Sequence, residues 1–143
     1  MNVLGKIVLG SIVAGLAFGS VAASDRTPSK PDAKVYFITP ADGDKVASTF
    51  VVRFGLSGMG VAPAGVEKEG TGHHHLIIDA PLPPFDENIP MDENHVHFGG
   101  GQTEVTVTLP AGKHTLQLLL ADQNHIPHDP PVYSQQITVT VAD

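Results

Sequence analysis

Histidine is the residue type in this chain with the clearest capacity for chemistry. All eight histidines fall between residues 73 and 128 of a chain of 143 residues. They form three groups: His73, His74 and His75; His95 and His97; and His114, His125 and His128. Because histidine is the commonest metal ligand and titrates near neutral pH, this clustering indicates either a metal site or a pH-sensitive hydrogen-bonded network.

The spacing within the first two groups fits paired ligands on β-strands. Residues i and i+2 of a strand point to the same face and lie about 6.6 Å apart along the chain. His73 with His75, and His95 with His97, could therefore each present two imidazoles on one face. His74 would point to the opposite face of its strand.

The third group is spread over a strand and a loop. His125 and His128 flank Pro127 in a predicted loop, where they could converge on one ion. His114 shares its strand face with Leu116, so we expect it to orient a neighbour by hydrogen bonding. The candidate metal ligands are His73, His75, His95 and His97, followed by His125 and His128. The alternative ligands or supporting acceptors are His74, His114, Glu104, Asp122 and Asp129, whose acids could equally be ordinary strand-end residues.

The absence of cysteine narrows the kinds of metal that such a site could take. Without thiolates the chain cannot build a blue-copper centre, a cysteine-based zinc finger or an iron–sulfur cluster. Imidazole ligands with occasional carboxylates favour Cu(II), Zn(II) or Ni(II) over calcium or magnesium. Of these divalent transition metals, we expect copper or zinc as the cofactor. The triple glycine at residues 99–101 lacks the strand–helix setting of a nucleotide fingerprint, so no organic cofactor is indicated.

The segments that position these histidines are predicted to form short β-strands. Apolar residues alternate with polar ones in several windows, whereas no window beyond the first 23 residues keeps a 3.6-residue apolar period. The 15 glycines and 12 prolines supply the turns between strands. We therefore predict an all-β fold, an antiparallel immunoglobulin-like β-sandwich. The two long connections, residues 57–72 and 80–94, are expected to be functional or mobile.

The first residues of the chain have the pattern of an export signal. Lys6 precedes an apolar stretch, and small residues end it at Ala22 and Ala23. This pattern predicts a signal peptide over residues 1–23, cleaved after Ala23. A flexible lead-in over residues 24–33 and a histidine-rich β-sandwich domain over residues 34–143 would follow. The alternative is a retained N-terminal anchor, but the apolar stretch is about 12 residues, shorter than the roughly 20 that span a bilayer. The sequence has no second apolar span, so we expect no membrane span in the mature chain.

The charge of the chain limits its partners. Eight Lys and Arg residues against fifteen Asp and Glu residues give a formal net charge of −7. A chain this acidic is unsuited to binding nucleic acid, whose affinity for proteins comes largely from basic side chains.

Several of these motifs, taken in order, resemble one family. The segments at residues 72–79 (Gly-His-His-His-Leu-Ile-Ile-Asp), 95–104 (His-Val-His-Phe-Gly-Gly-Gly-Gln-Thr-Glu), 112–118 and 125–128 are similar to a bacterial exported domain of unknown function, number 4399. The resemblance extends over roughly residues 34–141. It implies a periplasmic location, and it implies no established biochemical activity.

Three functions remain open from the sequence. The first is a non-enzymatic periplasmic protein that binds copper or zinc through its clustered histidines. The second is an envelope recognition module for a small molecule, a glycan or a protein partner, without metal. The third is a metal-dependent hydrolase or redox enzyme, in which Glu104 or Asp129 would act as the acid or base.

Overall fold

The computed structural model describes residues 25–142, so the predicted signal peptide lies outside the described residues. Over residues 25–142 the chain forms nine strands and no helix. None of the described residues therefore forms a helix that could cross a membrane. The strands are β1 (Lys34–Thr39), β2 (Lys45–Val46), β3 (Thr49–Ser57), β4 (Gly60–Val61), β5 (Thr71–Ile78), β6 (His95–His97), β7 (Glu104–Thr108), β8 (Gly112–Ala121) and β9 (Ile137–Val141).

The strands form two sheets, and the all-β prediction is confirmed. One sheet has the order β1-β3-β7, and the other has the order β2-β9-β8-β5-β4, with β6 also paired to β5. All the long strands pair antiparallel, as predicted. Two short pairs, β2 with β9 and β4 with β5, are parallel. These pairs involve two residues of each strand, too few to leave a period in the sequence.

The main core lies between the two sheets. Val52 and Phe54 of β3 pack there with Leu76 of β5, Leu118 of β8 and Val139 of β9, and all five are at most 1% exposed. Each points from its strand toward the space between the two sheets. Full burial of a side chain of this size contributes about 1.5–3 kcal/mol, so this cluster provides the main apolar stabilisation of the sandwich.

Strand β5 is buried on both faces, which is unusual for a strand next to a sheet edge. Its even-numbered residues from His74 to Ile78 face the main core, and its odd-numbered residues face away from it. The outer face is covered by the connection over residues 80–94, which was expected to be functional or mobile. Ile89 from that connection joins Ile77 and Leu119 in a second apolar cluster. The covering segment therefore places the outer face of β5 in a low-dielectric environment.

The described part of the predicted lead-in, residues 25–33, makes specific contacts with the domain. Arg26 donates a hydrogen bond of 2.8 Å to the carbonyl of Phe85 and forms an ion pair of 2.7 Å with Asp129. Thr27 Oγ1 donates a hydrogen bond of 2.7 Å to Asp122 Oδ2. These contacts hold the segment against the covering connection and the loop that follows β8.

Candidate metal centre

Strands β5 and β6 bring His73 and His97 together. The register pairs His75 with His97, and His73 lies two residues earlier on the same outer face of β5. The Nε2 atoms of His73 and His97 are 3.2 Å apart. Two residues that are 24 positions apart in the chain are thus in contact because the strands carrying them are neighbours.

A tight turn after β8 brings in His125. Asp122 Oδ1 accepts hydrogen bonds from the backbone N–H groups of Asn124 (2.9 Å) and Ile126 (3.1 Å). The Asp122 carbonyl accepts a third, of 3.0 Å, from the N–H of His125. His125 has a φ of +66°, a conformation uncommon for residues other than glycine. The turn directs the His125 ring at His97, where the two Nε2 atoms are 3.0 Å apart.

Three imidazole nitrogens therefore converge on one point. One ring nitrogen each from His73, His97 and His125 lies within 4.8 Å of the other two. Nitrogen ligands at 2.0–2.1 Å from a tetrahedral zinc ion would be separated by about 3.3 Å, close to the two contacts observed here. The three side chains can hold a metal ion.

The hydrogen bonding of these nitrogens also fits a shared cation. A neutral imidazole nitrogen carries either a proton or a lone pair. His97 Nε2 contacts a nitrogen of His73 and a nitrogen of His125, and a single proton on it can serve only one of them well. A cation at the centre would accept all three lone pairs at once.

The environment of the cluster favours neutral imidazoles, which is the form that binds metals. Burial, and after it the neighbouring rings of His97 and His125, lower the pKa of His73 to about 4. The pKa of His97 is also lowered, first by burial and then by His125. Three imidazolium ions at these separations would repel one another strongly.

His75 lies beside the three converging histidines but is not one of them. Its side chain is 1% exposed. Neither of its ring nitrogens has a hydrogen-bond partner among the described residues. Burial places its pKa well below the ordinary value, so the ring is neutral.

The cluster is closed on one side and accessible on the other. His73 and His75 are fully buried, whereas His97 and His125 are half-buried. A shallow surface depression adjoins His97 and is also lined by Met91 and His95. An ion would therefore reach the nitrogens from the side of His97 and His125.

The structure places the other candidate histidines away from this centre. His95 Nδ1 forms an ion-pair contact of 2.7 Å with Asp92 Oδ1. His128 is fully buried, and its Nε2 donates a hydrogen bond of 3.1 Å to the Thr71 carbonyl. His74 faces the main core, where its ring centroid is 4.8 Å from that of Phe54.

His114 occupies a separate polar site near the opposite end of β5. Its Nδ1 contacts Asp79 Oδ2 at 2.6 Å, and its Nε2 contacts the Pro110 carbonyl at 2.8 Å. The hydrogen bond with Asp79 raises the pKa of His114. His114 thus pairs with a carboxylate and a carbonyl rather than with another histidine.

The carboxylates of the three candidate acids contact residues other than the converging histidines. Glu104 pairs with Arg53 at 2.9 Å on the three-stranded sheet. Asp129 pairs with Arg26. Asp122 does support the centre, by forming the turn that carries His125. A sequence signal for this role exists, since an aspartate side chain commonly accepts a hydrogen bond from the backbone N–H two residues later and so forms a turn.

Two hydrogen bonds that hold the turn of His125 in place were not predicted from the sequence. Thr27 bonds to Asp122, and the N–H of Ile89 donates a hydrogen bond of 2.9 Å to the carbonyl of His125. Both contacts join segments far apart in the chain, and neither Thr27 nor Ile89 lies in a motif that would mark it.

The fold and the centre define an all-β domain with three converging histidines on the outer face of its larger sheet. The chain belongs to the domain of unknown function family DUF4399, whose family model matches residues 52–142. His73, His97, His125 and the supporting Asp122 all lie inside the matched region. No curated protein and no solved structure matches the chain.

Proposed function

We propose that this protein is a non-enzymatic binding protein of the periplasm that holds a divalent transition metal, copper or zinc, through His73, His97 and His125. The observation that carries the proposal is the pair of Nε2–Nε2 contacts, 3.2 Å and 3.0 Å, that meet at His97. Imidazole nitrogens at this spacing match the ligand separation around a small transition-metal ion.

The surroundings of the three nitrogens support a role in binding over catalysis. A metal-dependent hydrolase needs an acid or base beside an open coordination position. Glu104 and Asp129, the two acids considered for that role, are paired with Arg53 and Arg26. The group of converging ligand atoms contains histidines only.

The periplasmic location is supported by the sequence of residues 1–23, which has the order of charge, apolar stretch and small residues of an export signal. A protein exported in this way could buffer, deliver or sense metal ions in that compartment.

Metal content of tag-free protein is the first test. Protein purified from the periplasm without added metal or chelator should contain about one equivalent of copper or zinc by elemental mass spectrometry. A polyhistidine tag must be avoided, because it would itself bind the metal. Protein that is metal-free and fails to take up added copper or zinc would contradict the proposal. The histidines would then be better explained as part of a pocket for an organic ligand or a protein partner.

Two substitutions in one strand provide a matched comparison. His97→Ala removes the nitrogen that contacts both other ligands, so we expect metal affinity to fall by more than about 100-fold, beyond the effect of losing an outer hydrogen-bond partner. His95→Ala removes a histidine of the same strand that bonds to Asp92, and its affinity should stay within a few-fold of the unsubstituted protein. Equal losses in both variants would argue against this ligand set.

A further inference from the structure

The ring of His75 is buried, and no hydrogen bond explains why a polar side chain occupies this position. It is 1% exposed, and neither ring nitrogen has a hydrogen-bond partner within residues 25–142. A buried polar group without a partner is destabilising by about 1–3 kcal/mol. A ligand that bonded to one of the His75 ring nitrogens would remove this destabilisation.

The ring centroids of His73, His75, His97 and His125 are separated by distances close to those of four imidazoles around one tetrahedral ion, while the ring nitrogens of His75 lie outside the converging group. In such a site, with nitrogens about 2.0 Å from the ion, the ring centroids would lie about 5.2 Å from one another. The observed separations from His75 are 4.8 Å to His73, 5.1 Å to His97 and 6.1 Å to His125. The remaining three are 5.0, 5.0 and 4.6 Å.

A square-planar arrangement fits these separations less well. With nitrogens again about 2.0 Å from the ion, a square-planar site would contain two opposite pairs of rings, and the centroids within each pair would lie about 6.4 Å apart. Only the pair of His75 and His125 approaches that value, at 6.1 Å. Tetrahedral nitrogen coordination is typical of zinc, whereas Cu(II) prefers a tetragonal or planar arrangement.

We infer that His75 is a fourth ligand, which completes a closed tetrahedral site of four imidazoles suited to zinc. This inference rests on the proposed function, since it needs His73, His97 and His125 to bind an ion. Rotation of the His75 ring toward the ion would break no hydrogen bond of its nitrogens, because they have none in the described structure. A site closed in this way leaves no position for water or substrate, as in structural zinc sites.

Cobalt(II) is a suitable probe, because its visible absorption reports both coordination number and ligand exchange at a zinc site. We expect the protein with Co(II) bound to give an intense tetrahedral spectrum that excess thiocyanate leaves unchanged. A spectrum that shifts on addition of thiocyanate would reveal an exchangeable fourth position and would overturn the inference while leaving three-histidine binding intact. Failure to bind Co(II), Zn(II) or Cu(II) at all would instead contradict the proposed function.

Substitution of His75 gives the complementary result. In His75→Ala the fourth position should open, so thiocyanate should now shift the Co(II) spectrum and Co(II) affinity should fall at least about tenfold. His74→Leu is the matched control, since His74 is equally buried but faces the opposite side of β5, and its spectrum should match that of the unsubstituted protein. If His75→Ala does not fold, the thiocyanate result on the unsubstituted protein still decides the question.

Discussion

Thr27 Oγ1 donates a hydrogen bond of 2.7 Å to Asp122 Oδ2, and this contact joins the start of the described chain to the turn that carries His125. The other carboxylate oxygen of Asp122 accepts two backbone hydrogen bonds within that turn. Asp122 is 3% exposed, so these bonds are shielded from water. The position of His125 therefore depends on a residue that contributes no ligand atom.

Removal of the Asp122 carboxylate should weaken metal binding without removing a ligand. Asp122→Ala leaves two N–H groups of the turn without their acceptor, so the His125 ring should lose its fixed direction. We expect metal affinity to fall by about 10–100-fold, measured by competition with a chromophoric chelator. Glu104→Gln, which removes an exposed ion pair on the other sheet, should leave the affinity unchanged; an equal loss in that variant would contradict a local effect.

The pair of His114 and Asp79 should make part of the stability depend on pH. Both ring nitrogens of His114 face acceptors, so both are satisfied only in the imidazolium form, and its pKa is raised. This stabilisation is complete below the ordinary pKa near 6.5 and is lost as pH rises through the raised pKa. We expect it to be no more than about 1 kcal/mol, as for partly exposed pairs.

The measurement is urea unfolding of metal-free protein at several pH values, comparing the unsubstituted protein with His114→Gln and Asp79→Asn. The difference in unfolding free energy should shrink as pH rises from about 6 to about 9. Asparagine suits position 79, where φ is +52°. A difference that stays constant over this range, or grows, would show that His114 is not charged in the folded protein.

Gly72 should not tolerate a side chain. A Cβ atom at Gly72 would lie 2.6 Å from the Ala121 carbonyl oxygen and 2.8 Å from His128 Cε1. Gly72→Ala would therefore push β5 away from β8, and overpacking of this kind is destabilising by about 1–3 kcal/mol. In Gly60→Ala the nearest atom would be a methyl carbon at 3.5 Å. Thermal unfolding should show the loss for Gly72→Ala only, and a similar loss at both positions would rule out this explanation.

His74 should be replaceable by leucine with a gain in stability. Both of its ring nitrogens lack hydrogen-bond partners in the described part of the chain, and its ring packs on Phe54 in the main core. Burial lowers its pKa to about 4. We expect His74→Leu to raise the free energy of unfolding at pH 7 by about 1–3 kcal/mol. A lower free energy of unfolding would show that the ring makes a contact that leucine cannot replace.

Much of the fold could be predicted from the sequence, because alternation of apolar and polar residues is a local property. This alternation predicted short β-strands and an all-β fold, and the core residues Phe54 of β3 and Leu118 of β8 lie in such strands. The covering of β5 was not predicted. Ile89 and Phe85 lie among prolines and acids, and their packing on the outer face becomes visible only when the sheet is assembled.

The candidate site was predictable only in part, because spacing alone does not distinguish a ligand from its neighbour. His95 and His97 occupy equivalent alternating positions, yet Asp92 pairs with His95 three residues later in the chain. His125 and His128 were weighted equally. The turn formed by Asp122 directs His125 to the centre, whereas His128 bonds to the backbone of Thr71.

The edges of the larger sheet have a consequence for self-association. Strand β2 closes one edge with two residues, and β4 and β6 close the other with two and three. An exposed strand edge with a long row of free N–H and C=O groups is a template onto which a strand of another molecule can add, and very short edge strands deny that template. The long apolar strands β5 and β8 are thereby kept inside the sheet. We expect the larger sheet to resist the addition of a strand from another molecule even at high concentration.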